Sequence, residues 1–287
     1  MAQSTTPKQD SKDAFQLKHT VTENPEAESL VHKLNKGHIC NTEARGHSIP
    51  NAKSKAEILV DASEGFIPLW EKNTTLRWRF QERSLINFAN PTAAKDAIKQ
   101  LLGEALELWG DAAPIKFKED TDVWDFEIVV KSGDECSPSG CVLASAFFPD
   151  GGRHELTIYP KMFSQPREEQ VDTLIHEIGH VFGLRHFFAK ELEKGFPAEI
   201  FGKHSKFSIM NYGELSRLTE NDKKDLKRLY QLAWAGTLKK INGTPIKFVR
   251  PFHTFAAITD GAFALKEVPA VVKQLSTDDY IKEFSLE

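Results

Sequence analysis

The chain lacks any apolar run long enough to cross a membrane. A membrane-spanning helix needs roughly 18 or more consecutive apolar residues, and no segment of the sequence approaches that length. The first residues, MAQSTTPKQDSKDAF, have no apolar core after their first charges, so we do not interpret them as a secretory signal peptide. The sequence therefore predicts no membrane partner, and it leaves the cellular location open.

The chain also lacks a dominant charge and has little cysteine. Lys and Arg number 37 against 41 Asp and Glu, and a net charge of -4 is too small to predict a nucleic-acid partner. Three cysteines leave at least one unpaired, and the absence of a CxxC pair argues against a structural zinc site built on cysteine. Cys136 and Cys141 lie close together in GDECSPSGC, where a disulfide and two reduced thiols are both open interpretations.

Composition divides the chain into three regions. Residues 1–66 are rich in Lys, Glu, Asn, Ser and Thr, and we interpret them as a polar N-terminal segment that is disordered or propeptide-like. Residues 67–234 contain the strong strand and helix patterns and are predicted to form the folded domain. Residues 235–287 show turns and weak strands, such as Ile246–Val249, and their role stays open.

The patterns in the middle region predict an α+β fold, a mixed sheet with a long helix packed on it. The segment TLRWRF at Thr75–Phe80 alternates as a half-buried strand does. A first helix is predicted to start at Asn90-Pro91 and to end at Gly110, a second runs from about Arg167 to Gly183, and a third follows a capping box at Thr219 and Asp222. Further strand candidates are Ile115–Phe117, Phe126–Val130, Val142–Phe148 and Leu156–Tyr159.

The segment HEIGHVFGLRH at residues 176–186 has the spacing of a metal site. Residues four apart lie on one face of a helix, so His176 and His180 can bind one Zn²⁺ ion. Gly183 permits a bend that brings His186 to the same ion, and three protein ligands leave a fourth position open, as in catalytic zinc sites. Glu177 follows the first ligand about 100° round the helix, which predicts a general base beside the metal.

This segment resembles the HExxHxxGxxH signature of the metzincin metallopeptidases. The segment SIMNY at Ser208–Tyr212 resembles the Met-turn of that clan. The resemblance implies that Met210 forms an apolar floor beneath the metal, and that Tyr212, as in astacins and serralysins, binds the resting metal and then hydrogen-bonds the oxyanion. A core methionine and a packed tyrosine are the alternative roles.

Other segments resemble matrixins, one of the metzincin families. They include Leu69–Phe80, Ala105–Trp109 and the strand along which matrixins align substrate. That resemblance implies a zincin fold with an active-site helix and a C-terminal helix, one catalytic Zn²⁺, compatibility with structural Ca²⁺, protein or peptide substrates and an extracellular location. We also expect a monomer. Ser145 stands where matrixins place a histidine for a structural zinc, so we expect no second zinc. The implied substrate-aligning residues are Leu143, Ala144, Ser145 and Ala146.

The resemblance to matrixins implies less directly how the enzyme would be kept inactive before activation. Matrixin proforms block the metal with a propeptide cysteine, and Cys40 is the only upstream candidate. Its setting, HICNTEARG, does not match the usual switch sequence, and an idle thiol is the alternative interpretation.

These observations predict a zinc-dependent endopeptidase that acts on extended protein segments. A catalytically silent relative that binds peptides is one alternative, which the intact Glu177 disfavours. A zinc hydrolase of small molecules or glycans is another, which the substrate-aligning strand disfavours because a closed pocket has less need of one. Residues 204–217 are predicted to wall the pocket beside the metal, but the cleavage preference does not follow from the sequence.

Overall fold

The structure is a computed structural model that describes residues 14–15, 38–39, 58–62, 65–137, 140–186, 198–201, 208–210 and 216–259. The chain divides into two compact units, Met1–Phe252 and His253–Glu287. In the second unit the structure describes residues 253–259, which are helical. Within the described ranges, no helix has the length and apolar character that crossing a membrane requires.

Runs of strands are separated by helices along the first unit, which is the order typical of an α+β fold. The strands are β1 (His38–Ile39), β2 (Ile58–Asp61), β3 (Ile67–Trp70), β4 (Thr75–Phe80), β5 (Lys116–Glu119), β6 (Phe126–Val130), β7 (Glu135–Ser137), β8 (Gly140–Val142), β9 (Ala144–Ser145), β10 (His154–Ile158), β11 (Leu184–Arg185), β12 (Ala198–Phe201), β13 (Lys240–Ile241) and β14 (Thr244–Val249). The helices are α1 (Pro91–Trp109), α2 (Pro160–Phe163), α3 (Arg167–Val181), α4 (Glu220–Trp234) and α5 (Phe252–Thr259). Short 3-10 turns lie at Glu82–Leu85 and Gly110–Ala112.

A five-stranded sheet forms the centre of the domain. Its strand order is β5-β4-β6-β10-β9, and the strands are parallel except β9, which runs antiparallel to β10 at one edge. Alternate residues of β4 are buried, as the TLRWRF pattern predicts. Helices α1 and α3 pack against each other and bury their apolar stripes in the core. The predicted mixed sheet with a long packed helix is therefore confirmed.

Local signals set the ends of the helices. The Asn90 side chain accepts a hydrogen bond from the Ala93 N–H at 3.0 Å, and Pro91 occupies the first turn of α1. Gly110, at φ 55°, ends this helix because glycine adopts positive φ at little cost. At α4, the Thr219 hydroxyl and the Asp222 carboxylate form the predicted capping box. Each of these boundaries follows from side chains within a few residues of the helix end.

The prediction of one continuous strand over Val142–Phe148 is wrong. The chain forms β8 and β9 instead, separated at Leu143. The break arises because the two strands have different partners: β8 lies between β1 and β7 in a small sheet, whereas β9 pairs with β10. Cys136 of β7 lies directly opposite Cys141 of β8, and the two form a disulfide, which decides between the interpretations left open by the sequence.

Parts of both flanking regions pair with strands of the domain. In the N-terminal region, β2 is the middle strand of a sheet between β11 and β12, and Val60 is fully buried there. The apolar residues of its ILVD sequence account for this strand within a polar region. In the C-terminal region, β14 pairs in parallel with β3. Strand β2 thus pairs with the strand that precedes His186, and β14 pairs with the strand that ends at Trp70.

Candidate active site

Helix α3 presents two histidines from consecutive turns. His176 and His180 project from the same face, and their side chains are almost fully buried. Glu168 and Glu169 lie in the first turn, where acidic groups interact favourably with the helix dipole. The face that carries the histidines is thus set by ordinary helical geometry.

The chain then bends and returns a third histidine to the same place. Gly183 has φ +92°, and its N–H donates to the His180 carbonyl at 2.8 Å. Strand β11 follows and pairs antiparallel with β2. His186 comes next, and its Nε2 lies 3.0 Å from the Nε2 of His176, which is itself 3.2 Å from that of His180. The three side chains that the motif singled out lie together, with one ligand atom each within 4.8 Å of the others.

The hydrogen bonds of two of these rings determine where their protons are. A carbonyl can only accept, so the Nδ1 of His176 donates to the Ile209 carbonyl, and the Nδ1 of His180 donates to that of Leu184, each at 2.7 Å. In the neutral rings both Nε2 atoms are therefore unprotonated. Their lone pairs face each other across 3.2 Å, and neither can donate a hydrogen bond to the other. A metal ion between the rings would accept both lone pairs.

The surroundings of the rings favour a metal ion over a proton. Burial lowers the pKa of His176 to about 4 and those of His180 and His186 well below the usual value, so all three rings are neutral at pH 7. Tetrahedral zinc with Zn–N bonds of about 2.05 Å separates its nitrogen ligands by about 3.3 Å. The observed separations of 3.0 and 3.2 Å are close to this value. The donor set therefore fits Zn²⁺.

Met210 lies beneath the helix that carries His176 and His180. Its side chain is buried against Gly179, where an added Cβ would stand only 2.5 Å from the Met210 Sδ. The Ser208 hydroxyl accepts the Met210 N–H at 3.1 Å, which holds the turn closed. The carbonyl that orients His176 belongs to Ile209 in the same turn. The sequence did not predict this second role of the turn. Every residue has a backbone carbonyl, so the residue pattern does not show which one accepts a hydrogen bond.

The other predicted site residues are placed as follows. Glu177 is buried on α3 beside His176. Ala144 and Ser145 form β9 at the edge of the central sheet, flanked by Leu143 and Ala146, and all four are buried. Tyr212 and Cys40 lie outside the described residues.

Three residues that sequence analysis did not assign to the site also contact α3. Trp109 donates from its Nε1 to the Ile175 carbonyl at 3.1 Å, and Trp70 and Tyr230 bind carbonyls at the end of the helix. Buried indole and phenol groups need hydrogen-bond partners, so the residue types alone indicated that such contacts exist. The sequence does not reveal which partners they bind.

Comparison with known proteins assigns the chain to a family. Two solved structures of myroilysin show similarity: one shares 14% identity with a TM-score of 0.40 and covers 60% of this chain and 98% of the other. The second shares 13% identity with a TM-score of 0.38 and covers 75% and 98%. No curated protein matches the chain in sequence. The profile of the Matrixin family, Peptidase M10, matches residues 69–231. Because that match spans more than half of the 287 residues and includes all three histidines, the chain belongs to the matrixin family of zinc metallopeptidases.

Proposed function

We propose that this protein is a zinc metalloendopeptidase that hydrolyses peptide bonds in extended protein segments, with Glu177 as the general base. The observation that carries the proposal is the cluster of three buried histidines, each with a ring nitrogen within 4.8 Å of the others. Membership of the matrixin family supports peptide hydrolysis as the reaction.

His176, His180 and His186 would hold the metal. A bound zinc ion supplies Lewis-acid chemistry, because it acidifies water and polarises a carbonyl group. Three protein ligands leave coordination space for the reaction, whereas structural zinc sites have four. Because the rings are buried, they would exclude water from one side of a bound metal ion, which would strengthen electrostatic interactions within the site.

Glu177 moves the protons in this scheme. Its carboxylate accepts a proton from the attacking water as the new C–O bond forms, and it delivers a proton to the leaving nitrogen as the C–N bond breaks. The residue is buried and follows His176 directly on α3, which supports this role. Tyr212 would donate a hydrogen bond to the oxyanion, by resemblance to the Met-turn tyrosine of astacins and serralysins.

A strand at the edge of a sheet suits an extended substrate. Strand β9 is the last strand of the central sheet and pairs with β10 along one side. A peptide could add to its other side through main-chain hydrogen bonds, which bind many sequences alike. We therefore propose that Ala144 and Ser145, with Leu143 and Ala146, align protein substrates rather than small molecules.

A Glu177→Gln variant tests the function. We expect cleavage of a denatured protein to fall by at least about 10²–10⁴-fold, the usual contribution of a general base, while one zinc ion stays bound. Glu168→Gln is the matched control, since Glu168 lies on the same helix but is exposed, and we expect its activity to be unchanged. Unchanged cleavage by Glu177→Gln would refute the role of this residue.

The same assay separates the alternatives. A wild-type protein that binds peptides but cleaves none would support the catalytically silent alternative. Cleavage of dipeptides or glycans in preference to denatured protein would support a small-molecule hydrolase. Chelator-sensitive cleavage of protein substrates is the result that the proposal requires.

We further propose that the N-terminal region restrains the enzyme, with Cys40 close to the metal. Its support is that β1, which ends just before Cys40, pairs in parallel with β8, and β8 leads directly into β9. Since the other two cysteines form a disulfide, a thiol reagent under non-reducing conditions should modify Cys40 alone. Alkylation of the full chain, or Cys40→Ser, should then increase activity, and unchanged activity in both would contradict the proposal.

The disulfide also supports the proposed extracellular location. Disulfides persist in oxidising compartments and are rare in the reducing cytosol. The bond between Cys136 and Cys141 joins β7 to β8 within the domain. Fractionation of the native source, with thiol trapping of these two cysteines, would test both points together.

A further inference from the structure

The end of α3 presents a problem that the fold must solve. The last carbonyls of any helix lack partners within the helix, and here they are fully buried, since Val181 and Phe182 have 0% exposure. Leaving a buried carbonyl without a hydrogen bond is unfavourable, and the chain must also turn sharply at Gly183 at this point. The partners of these carbonyls therefore help to determine where the chain goes next.

Two distant aromatic side chains provide the partners. The Trp70 Nε1 donates to the Val181 carbonyl at 2.7 Å, and the Tyr230 hydroxyl donates to the Phe182 carbonyl at 3.0 Å. Both aromatic residues are 1% exposed. Trp70 ends β3 and Tyr230 lies in the middle of α4, so each hydrogen bond joins a different element to the end of α3.

The two aromatic residues are also linked to each other. The Tyr230 hydroxyl accepts a hydrogen bond from the Trp70 backbone N–H at 3.4 Å. Trp234, one turn further along α4, donates from its Nε1 to the Trp70 carbonyl at 3.0 Å. Burial raises the pKa of the Tyr230 phenol, so the hydroxyl keeps its proton and remains a donor at neutral pH. Elements β3, α3 and α4 are thereby fixed together around the helix end.

The third metal ligand lies four residues beyond this junction. Gly183 turns the chain, β11 follows, and the Leu184 carbonyl accepts the Nδ1–H of His180. We propose that Trp70 and Tyr230 are positioning residues for His186: by holding the last carbonyls of α3, they fix the bend that brings its Nε2 to the metal. The inference rests on the proposed zinc function and adds two residues that do not touch the metal.

Tyr230→Phe in the full chain tests the proposal. The substitution keeps the ring and removes only the hydroxyl, so the Phe182 carbonyl loses its donor. Substituting residues that orient metal ligands typically weakens metal binding 10–100-fold, and we expect zinc release to excess EDTA to be about 10-fold faster or more. The visible spectrum of the Co²⁺-substituted protein should change as well, since it reports the ligand geometry directly.

Trp234→Phe is the matched control. It removes one hydrogen bond from the same helix to Trp70, but none to α3. Both variants should lose similar stability in urea unfolding of the metal-free protein, and only Tyr230→Phe should release zinc faster. Equal release rates in the two variants would overturn this inference but not the proposed function. A wild-type protein that takes up no stoichiometric zinc would overturn the proposed function and the inference with it.

A second pair of variants covers the case in which Tyr230→Phe does not fold. Trp70→Phe removes the donor to Val181, at the end of α3, whereas Trp78→Phe changes a tryptophan of β4 that stacks edge-on against Phe80. Both tryptophans are buried, so the loss of packing is matched. Faster zinc release in Trp70→Phe alone would support the inference, and equal release in the two would overturn it.

Discussion

The two halves of the metal centre are built in different ways. His176 and His180 lie on consecutive turns of α3, where helical hydrogen bonds fix their separation. His186 lies beyond the helix, and its position depends on the bend at Gly183 and on the pairing of β11 with β2. The difference shows that the positions of the first two histidines are set by local sequence, whereas the position of the third is set by tertiary contacts. Substitutions in the two halves should therefore have different consequences.

The largest effect should follow from removing a ligand in either half. Structural zinc sites with four ligands bind with about 10–16 kcal/mol, so losing one ligand should cost about 3–4 kcal/mol, or roughly 10²–10³-fold in affinity. We expect this loss in both His180→Ala and His186→Ala, measured by competition with a chelator. His154→Ala is the control, because that ring stacks on Phe147 outside the cluster. Retention of wild-type affinity by either ligand variant would contradict the assigned site.

The contact between Gly179 and Met210, beneath the helix that carries His176 and His180, should tolerate little added volume. In Gly179→Ala the new Cβ would stand 2.5 Å from the Met210 Sδ, so the methionine must move. Overpacking of this kind costs about 1–3 kcal/mol, which urea unfolding of the metal-free protein would measure. Gly103→Ala is the control, since its Cβ meets nothing within 4 Å and alanine favours the helix, so a gain of up to about 1 kcal/mol is expected. Equal stability of Gly179→Ala and wild type would show that Met210 does not pack as described.

The bend should be sensitive to backbone conformation. Gly183 has φ +92°, and its added Cβ would also approach the Pro68 carbonyl oxygen at 3.3 Å. For Gly183→Ala we expect a loss of about 1–2 kcal/mol in stability together with faster zinc release. Gly236→Ala separates the two effects, because Gly236 has φ +72° but no close neighbours. It should lose similar stability and release zinc at the wild-type rate, and similar release by both variants would contradict the role of the bend.

The smallest effect should come from Asp172, one turn before His176 on α3. Burial raises its pKa to about 6, although Arg217 opposes the shift from 3.6 Å. Because the folded-state pKa is raised, the favourable contribution of the protonated group is present below about pH 4 and is lost as the pH rises through 6. Asp172→Asn should therefore stabilise the protein at pH 7.5 but not at pH 4. The side chain is 28% exposed, so we expect about 1 kcal/mol after allowing for solvent screening.

Thermal unfolding of Asp172→Asn and wild type at the two pH values would measure this difference. Zinc release should be unchanged, since Asp172 lies on the helical half and away from the bend. A stability gain that is equal at both pH values would show that ionisation of this carboxyl is not its cause.

Elements with local causes could be predicted from the sequence. The ends of α1 follow from Asn90, Pro91 and Gly110, and the start of α4 follows from its capping box. The spacing of the apolar residues predicted which face of each helix is buried. In the site, the motif predicted the three histidines and the resemblance to metzincins. Both depend on the identity of side chains, which the sequence gives directly.

Features that depend on distant partners could not be predicted. The chain changes sheets at Leu143 because β8 and β9 pair with different strands, and no pattern in the segment shows this. The pairing of β14 with β3 joins residues far apart in the chain. Likewise, Trp70 and Tyr230 look like ordinary core residues until the carbonyls that they bind are known. Every residue has a backbone carbonyl, so the sequence of α3 does not show which of its carbonyls accept these hydrogen bonds.

The position of β2 limits where this protein could be cut without damage to its active site. Strand β2 separates β11 from β12, so losing it would remove the neighbour of the two residues that precede His186. Cleavage just before Ile67, where the sequence turns from polar to strongly patterned, would leave this strand held only by its pairing with β11 and β12. An activating protease that left a working metal centre would have to cut on the N-terminal side of Ile58.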